Sequence, residues 1–531
     1  MEDLRQTAER RPEAWTGVLI LVSTTLRLFL AWVTPPLGDE AYYWHLGTHF
    51  HLSYFDHPPL AYWMAALSSW FTVTGGFVFA RLPFILLFSG STWIMFLIGR
   101  RLFGGWAGFC AALLLNLSAY CAIGAGGCAL PEGPLVFFWL ACLWVLIRIF
   151  FDPEPGRNLR WWLGLGAVLG LACLSKLHAM FIPFGAGLAV LTRGELRHWA
   201  WSAGPYLALG VAVIVALPVI VWNSEHEWIS FVYQFGRGMR SGEIQPGAVL
   251  KSLAGQSLLY MPWIWFCLVY ELVHGFFKGP SRQAGWFLSW MASGPIVLFT
   301  LVSVFNGQWY MFHWQAVGYL SLFPALGARV VAGMEKGVRW VRWGLGFSMV
   351  AMLTTGLLIL LYGSVLASPP WSIASVAPKP AVARNYDLSG YAGLAEALEQ
   401  KGLLNDSNMF VFTGHNMDSG RVGWVLRARR TVLCFALEDG AKSYPFVERS
   451  SGWPGANGLA VSRGQDVAAD LELLKPYFKR MTPSGSVKVG HGLHRTILYL
   501  HVFEDMTRPF AFPHGPPPRN WSLEKADPRS G

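Results

Sequence analysis

Long apolar runs separated by short polar ones fill the first two thirds of the chain. Runs at 14–34, 80–99, 105–123, 133–150, 161–175, 177–192, 203–222, 255–274, 284–303, 311–330 and 341–363 are each apolar enough to enter a hydrocarbon core. A run of about 20 residues crosses a core of roughly 30 Å as a helix. The pattern predicts an α-helical polytopic membrane protein with about 11 transmembrane helices. The fifth and sixth runs are short and meet at Ser175-Lys176, so the count is sensitive to one span. The first run lacks a small-residue cleavage site and ends at Thr34-Pro35-Pro36, which reads as a retained helix rather than a signal peptide.

After Pro369-Pro370 the pattern becomes polar with short apolar runs. MFVFTG (409–414), TVLCFAL (431–437) and TILYLHVF (496–503) read as strands. LAEALEQKG (394–402) and DVAADLELLKPYFKRM (466–481) read as helices. Alternating short strands and helices predict a small α/β domain. The tail PFAFPHGPPPRN (509–520) is Pro-rich and reads as irregular. The expected division is a membrane domain over 1–370, with a first outer loop at 35–79, and a C-terminal α/β domain over 371–531.

Composition agrees with this reading, since the 531 residues are 53% hydrophobic and only 14% charged. Basic residues then set the orientation. With the N-terminus inside, the inner segments hold Arg5, Arg10, Arg11, Arg100, Arg101, Arg148, Arg157, Arg160, Arg193 and Arg197. They also hold Lys278, Arg282, Arg329, Lys336, Arg339 and Arg342, whereas the outer loops before the last span hold only Lys176, Arg237, Arg240 and Lys251. The first loop therefore faces away from the cytoplasm, and an odd span count puts the C-terminal domain there too. The net charge of +10 is concentrated in the inner segments and calls for no nucleic-acid partner. Of 7 cysteines only Cys434 lies in the outer domain, so there is no disulfide framework.

The first loop, GDEAYYWHLGTHFHLSYFDHPPLAYW (38–63), holds the densest chemistry. Tyr43, Leu46, Gly47 and Phe50 fall at helical spacing, which suits an amphipathic helix lying on the membrane interface. Asp39 and Glu40 open it. One reading makes them caps of that helix, where acids are favourable. The other makes one carboxylate a general base. Asp56 and His57 close the loop, and Glu132 stands between two prolines at the start of the fourth span. Lys176, Arg237 and Arg240 are isolated outer cations. They either reach for lipid headgroups or converge on an anionic group, with arginine giving bidentate phosphate contacts. Tyr42, Tyr43 and Tyr54 either line a sugar pocket or brace the loop. The four loop histidines lack the pattern of a helical zinc site apart from His45–His49, so structural roles are the simpler assignment. A divalent cation at Asp39, Asp56 or Glu132 is the alternative.

DEAYYW, YFDHPPLAYW, RLPFILL, PEGPLVFFW, LSKLHAM and WNSEHEWISFVYQFGRG occur in this order. Together they resemble the polyprenyl-phosphate-sugar-dependent membrane glycosyltransferases of the GT-C class. The resemblance covers about residues 14 to 330 and points to the bacterial branch of aminoarabinose and galacturonic acid transferases of lipid A. Protein O-mannosyltransferases are more distant relatives. It implies Asp39 as catalytic base or as the group that positions the acceptor, Asp56 at an acid that relatives use at a metal site, and Glu132 where they have aspartate. It places Arg237 on the basic residue of loop four, and His57 where relatives have a phosphate-contacting lysine. Gln234 falls where the family has a metal-binding histidine. The implied reaction moves a sugar from undecaprenyl phosphate, with inversion, to a periplasmic glycolipid, glycan or protein at the bacterial inner membrane. A transporter or flippase of the same lipid-linked sugar is the competing class. The outer boundary position of the polar residues and the lack of an internal repeat weigh against it. Arg27, a lone charge within the first span, is read as pairing with an acid or reaching the lipid phosphate.

Overall fold

The structure is a computed structural model and describes residues 11–70, 77–152, 154, 158–236, 246–279, 283–306, 313–365, 391–436, 439–447, 450–463, 472–490 and 496–512. It divides into two compact units, Met1–Pro36 with Phe50–Val365, and Leu37–His49 with Leu366–Gly531. The segment Leu37–His49, expected within the membrane domain's loop, groups instead with the C-terminal unit.

The first unit is a multi-pass helical bundle. Six helices are long and apolar enough to cross a membrane: Pro12–Val33, Val78–Phe103, Glu132–Phe151, Gln283–Val304, Ala316–Glu335 and Arg339–Leu360. Shorter apolar helices at Gly105–Asn116, Leu159–Ser175 and Leu177–Thr192 fill expected span positions. Two helix pairs are sharply bent. Gly194–Trp201 and Ala203–Val215 meet at 60°, and Gly247–Tyr260 and Pro262–Lys278 meet at 108°. The run 255–274 is therefore not one straight helix. Pro262 has no N–H to donate and disfavours the α conformation at the residue before it. Met261 accordingly turns the chain with φ 65. Tyr260 on the near side of the break is anchored by its hydroxyl, which donates to the Ala316 carbonyl at 2.6 Å.

In the C-terminal unit a five-stranded mixed sheet runs in the order β2-β1-β3-β5-β4. The strands are β1 Met409–Thr413, β2 Val432–Cys434, β3 Asn457–Arg463, β4 Phe478–Val489 and β5 Thr496–Met506. β1 runs parallel to β2 and β3, while β5 runs antiparallel to β3 and β4. All five residues of β1 are buried, so this inner strand is covered on both faces. Val411, Leu459 and Leu500 pack on one side with Leu394 and Leu398 of the helix Leu394–Gln400 and Val422 of the helix Asn416–Leu426. Phe410, Phe412, Phe478 and Phe503 pack on the other.

The expected strands at 409–414, 431–437 and 496–503 all occur. The expected helix over 466–481 does not survive at its described end, because Phe478 begins β4. Residues 464–471 lie outside the described residues, as do 513–520 of the tail. The start of the tail is ordered by burial: Phe510 is fully enclosed and stacks on Phe435 at 4.7 Å.

Candidate functional site

The polar residues of the first unit gather where loop one, the helix Glu132–Phe151 and the helix Leu159–Ser175 meet. Glu132 is the first residue of its helix, placed by Pro131. Lys176 follows Ser175 in an extended conformation, φ −163 and ψ 143, before the short turn Leu177–Met180. The two side chains form an ion pair, with Lys176 Nζ donating to Glu132 Oε1 at 2.6 Å. Their side chains are only 8% and 13% exposed. His57 and His313 stand close enough for their charges to act on Glu132. His178 interacts in the same way with Lys176, Glu132, His57 and His313. Its ring packs on Phe299 at 4.8 Å. Its Nε2 is buried with no hydrogen-bond partner among the described residues. Sequence reasoning raised Glu132 and Lys176 as separate candidates and missed that they bind each other. It also passed over His178 and His313, although His178 lies two residues from Lys176.

Asp56 is buried beside this cluster. The Tyr62 hydroxyl donates to Asp56 Oδ1 at 2.6 Å, and the Gln234 side-chain amide donates to the Asp56 carbonyl. Tyr54 stacks on Tyr62 at 3.8 Å, and its carbonyl accepts from Ser230 Oγ at 3.2 Å. Burial pushes the Tyr54 phenol well above its ordinary value, with a backbone hydrogen bond at His51 opposing it. Tyr54, Asp56, His57, Leu177, Asn223 and Gln234 share a small cleft. Arg237 and Arg240 lie outside the described residues.

The metal that the resemblance implies is not matched by this donor set. Gln234 replaces the expected histidine and turns its N–H toward the Asp56 carbonyl, where a metal ligand would present a lone pair. Among the described residues no group of three or more His, Cys, Asp or Glu side chains converges on one point.

Loop one's helix, Gly38–Gly47, groups with the C-terminal unit. Every residue in it except Asp39 is buried, and it packs within the C-terminal unit on Asn416–Leu426. Two glycines permit the approach. A Cβ on Gly420 would sit 2.6 Å from the Tyr42 backbone nitrogen, and one on Gly423 would collide with the His45 ring. Glu40 is the helix cap: its Oε2 accepts from the Leu37 N–H at 2.7 Å. Of its two readings, the structure favours the cap over the base. Asp39 keeps a 41% exposed carboxylate, with Lys442 Nζ at 3.6 Å. Lys442 also stands over the Tyr42 ring at 5.2 Å.

Tyr42 and Tyr43 are packed, not open to a sugar. The Ser443 N–H donates to the Tyr42 hydroxyl at 3.1 Å, and the two tyrosine rings meet at 5.4 Å. Tyr54, stacked on Tyr62, lines the cleft beside Asp56. His45 Nδ1 lies 2.6 Å from the Tyr444 hydroxyl. Burial, with His49 adding, pushes the His45 imidazole down to about 3, so it is neutral near pH 7.

Among the described residues Arg27 meets a carbonyl, an amide and a ring rather than an acid. Its Nε donates to the Ala122 carbonyl at 3.0 Å and its Nη2 to Asn116 Oδ1 at 2.9 Å, over the Phe88 ring. The Ala122 carbonyl belongs to a widened helical turn, Tyr120–Ala125. Arg81, another buried cation, binds Thr34 Oγ1 at 2.8 Å and the Pro35 carbonyl at 2.9 Å. It thereby caps the end of Pro12–Val33, where loop one begins.

A multi-pass bundle carrying a buried cation and acids at its loop end, with a separate α/β unit, has the fold of the GT-C membrane glycosyltransferases. The apo structure of ArnT from Cupriavidus metallidurans superimposes with a TM-score of 0.62 at 14% identity, covering 92% of this chain and 98% of that one. Within the chain, residues 56–222 match the family described as dolichyl-phosphate-mannose-protein mannosyltransferase. That segment contains Asp56, His57, Glu132, Lys176 and His178. Lipid A galacturonosyltransferase RgtD of Rhizobium johnstonii is 23% identical over 301 residues, 54% of this chain and 60% of that protein. The undecaprenyl phosphate-alpha-4-amino-4-deoxy-L-arabinose arabinosyl transferase of Edwardsiella ictaluri is 26% identical over 213 residues, 40% of this chain and 30% of that protein. The chain therefore matches at most about 60% of the length of these curated relatives.

Proposed function

We propose that this protein is an inverting glycosyltransferase that takes a sugar from an undecaprenyl-phosphate-linked donor. The acceptor is a cell-envelope glycan, with lipid A the class suggested by the relatives' names. The multi-pass bundle sits in the bacterial inner membrane, and the site opens on its periplasmic side, as the distribution of basic residues supports. The single observation that carries the reading is the enclosed Lys176–Glu132 pair ringed by His57, His178 and His313.

In the transfer, an acceptor oxygen attacks the anomeric carbon from the face opposite the phosphate. The C–O bond to phosphate breaks, the phosphate leaves with the electron pair, and the anomeric configuration inverts. Negative charge grows on that phosphate, and preorganised donors in a low-dielectric site are worth most there. Lys176 supplies a fixed cation. The buried Nε2 of His178 supplies a polar atom that a phosphate oxygen would satisfy. Glu132 holds Lys176 in place before the lipid arrives. The acceptor proton goes to a carboxylate, for which Asp56 and Asp39 are the candidates. No step requires a metal from the residues described.

The test uses the full chain in nanodiscs with radiolabelled undecaprenyl-phosphate sugars, following release of free undecaprenyl phosphate in the presence of envelope glycolipid extracts. Release with one sugar, abolished in Lys176→Gln and in one of Asp56→Asn or Asp39→Asn, is the expected result. Transbilayer movement of an intact donor with no bond cleavage under any acceptor would overturn it in favour of a flippase.

A further inference from the structure

A second charged cavity lies at the far end of the helical bundle. Glu132 begins its helix at the catalytic end, and Asp152 caps the other end, where Arg101 Nε donates to it at 2.9 Å. Phe103, two residues beyond Arg101, lines a cavity of about 680 Å³. A 20-residue helix separates the two ends, which at 1.5 Å per residue is roughly 30 Å. The cavity is thus distinct from the donor site.

Its walls combine three cations, Lys278, Arg329 and Lys336, with one carboxylate, Glu271. Glu271 is already neutralised: it is 7% exposed at the side chain and accepts from Arg329 Nε. Arg329 is held from a second side by the Tyr270 ring at 4.2 Å, so its planar group is fixed in direction while one third exposed. Lys278 ends the helix Pro262–Lys278, and Lys336 follows the helix Phe323–Glu335. Lysines in such places answer helix dipoles. That does not account for their facing one hollow large enough for a ligand. His274 and Gln283 add polar groups, and Phe103, Val341 and a half-exposed Trp340 form an apolar stretch of the wall.

We infer that this cavity binds the phosphate headgroup of an anionic phospholipid from the leaflet on the basic side of the membrane. Charge complementarity and position argue for it. The lining sets three cations against one carboxylate at the end of the bundle where the basic residues gather, and its apolar stretch suits an acyl chain. Basic pockets between transmembrane helices recognise anionic headgroups. The lysines supply point charges to the phosphate diester, and Arg329 sets the floor.

The test is native mass spectrometry of the full chain in mixed micelles, titrated with phosphatidylglycerol or with phosphatidylethanolamine. Phosphatidylglycerol is expected to bind saturably and about tenfold more tightly, and to weaken as salt rises. Lys278→Gln/Lys336→Gln should lose about fivefold per lysine for phosphatidylglycerol, with phosphatidylethanolamine and the unfolding temperature unchanged. Arg329→Lys, which keeps the pair to Glu271, should lose less and tests the pocket without breaking the bundle. Equal binding of the two lipids, or a double variant that binds as the parent does, would overturn the inference. Displacement of phosphatidylglycerol by millimolar inorganic phosphate would also overturn it, by assigning the cavity to a free anion.

Discussion

Lys176 and Glu132, 44 residues apart in sequence, meet as an ion pair at 2.6 Å with both side chains almost enclosed. Such a pair costs desolvation on both sides, so its presence alone is weak evidence for stability. Its meaning lies in what happens when one partner is removed. Lys176→Ala leaves a carboxylate buried without its cation and should destabilise the bundle by about 3–5 kcal/mol. Lys176→Gln/Glu132→Gln should recover much of that, because the buried charge is gone, while transfer stays at least ~100-fold down. Thermal unfolding and single-turnover release of undecaprenyl phosphate separate the two effects. Restored transfer in the double variant would remove Lys176 from the chemistry.

Asp56 depends on Tyr62, whose hydroxyl is its donor at 2.6 Å. Tyr62→Phe should cost about 1–3 kcal/mol, since it takes a hydrogen bond from a buried charged group. Transfer should fall by about tenfold, less than in Asp56→Asn if Asp56 takes the acceptor proton. Equal losses in the two variants would mean that Asp56 acts through folding alone.

The approach of Gly38–Gly47 to Asn416–Leu426 rests on Gly420, where a Cβ would meet the Tyr42 backbone at 2.6 Å. Backbone cannot rotate away as a side chain tip can. Gly420→Ala should therefore destabilise the C-terminal unit by about 1–3 kcal/mol. Limited proteolysis of the full chain should show earlier cleavage within 391–512, with the membrane helices unaffected. Gly455, with nothing near its Cβ position but a φ of 82, would show backbone strain rather than a clash and serves as the contrast.

Acid should loosen the same unit. The His45 imidazole is held at about 3 in the folded chain by burial, with His49 adding, against an ordinary value of 6.5. Between those values the unfolded chain binds more protons than the folded one, so stability falls as pH falls. The contribution is fully present above pH 6.5, and its loss amounts to about 1.4 kcal/mol per pH unit below that. Melting of the full chain from pH 7.5 to 5 should show the decline, and His45→Gln should flatten part of it. A slope unchanged in His45→Gln would show that the ring is already protonated when folded.

Arg27 answers two groups, the Ala122 carbonyl and Asn116 Oδ1. Arg27→Leu strands both in an apolar setting and should cost about 2–3 kcal/mol. Donor affinity, read by lipid titration, should be unchanged. A lowered affinity would bring Arg27 back to the lipid phosphate.

Much of the membrane unit was legible because a bilayer forces long uninterrupted apolar runs, and these survive in one dimension. The breaks were less so: Pro262 turned the expected 255–274 span only because Tyr260 finds an anchor at Ala316 across the bundle. In the C-terminal unit, β1 and β5 announced themselves by β-branched and aromatic content. β3, NGLAVSR, has no aromatic residue and a single β-branched one, and β4 reads FKRMTPSGSVKV along a mostly solvent-facing strand. The helix Asn416–Leu426 went unseen because Gly420 and Gly423 lower helix propensity, although tertiary packing is what they serve.

The sequence by itself determined that the chain threads a membrane, which end carries the basic residues, and which acids and cations are scarce enough to matter. Those are properties of composition and period, written along the chain. Only the tertiary structure decided that Lys176 belongs with Glu132 and His178, that Glu40 is a cap, and that Tyr42 and Tyr43 are braces. It also grouped Gly38–Gly47 with the C-terminal unit. Each of these is a partnership across tens or hundreds of residues, and a buried polar group has no assigned role until the partner that offsets its desolvation is in place.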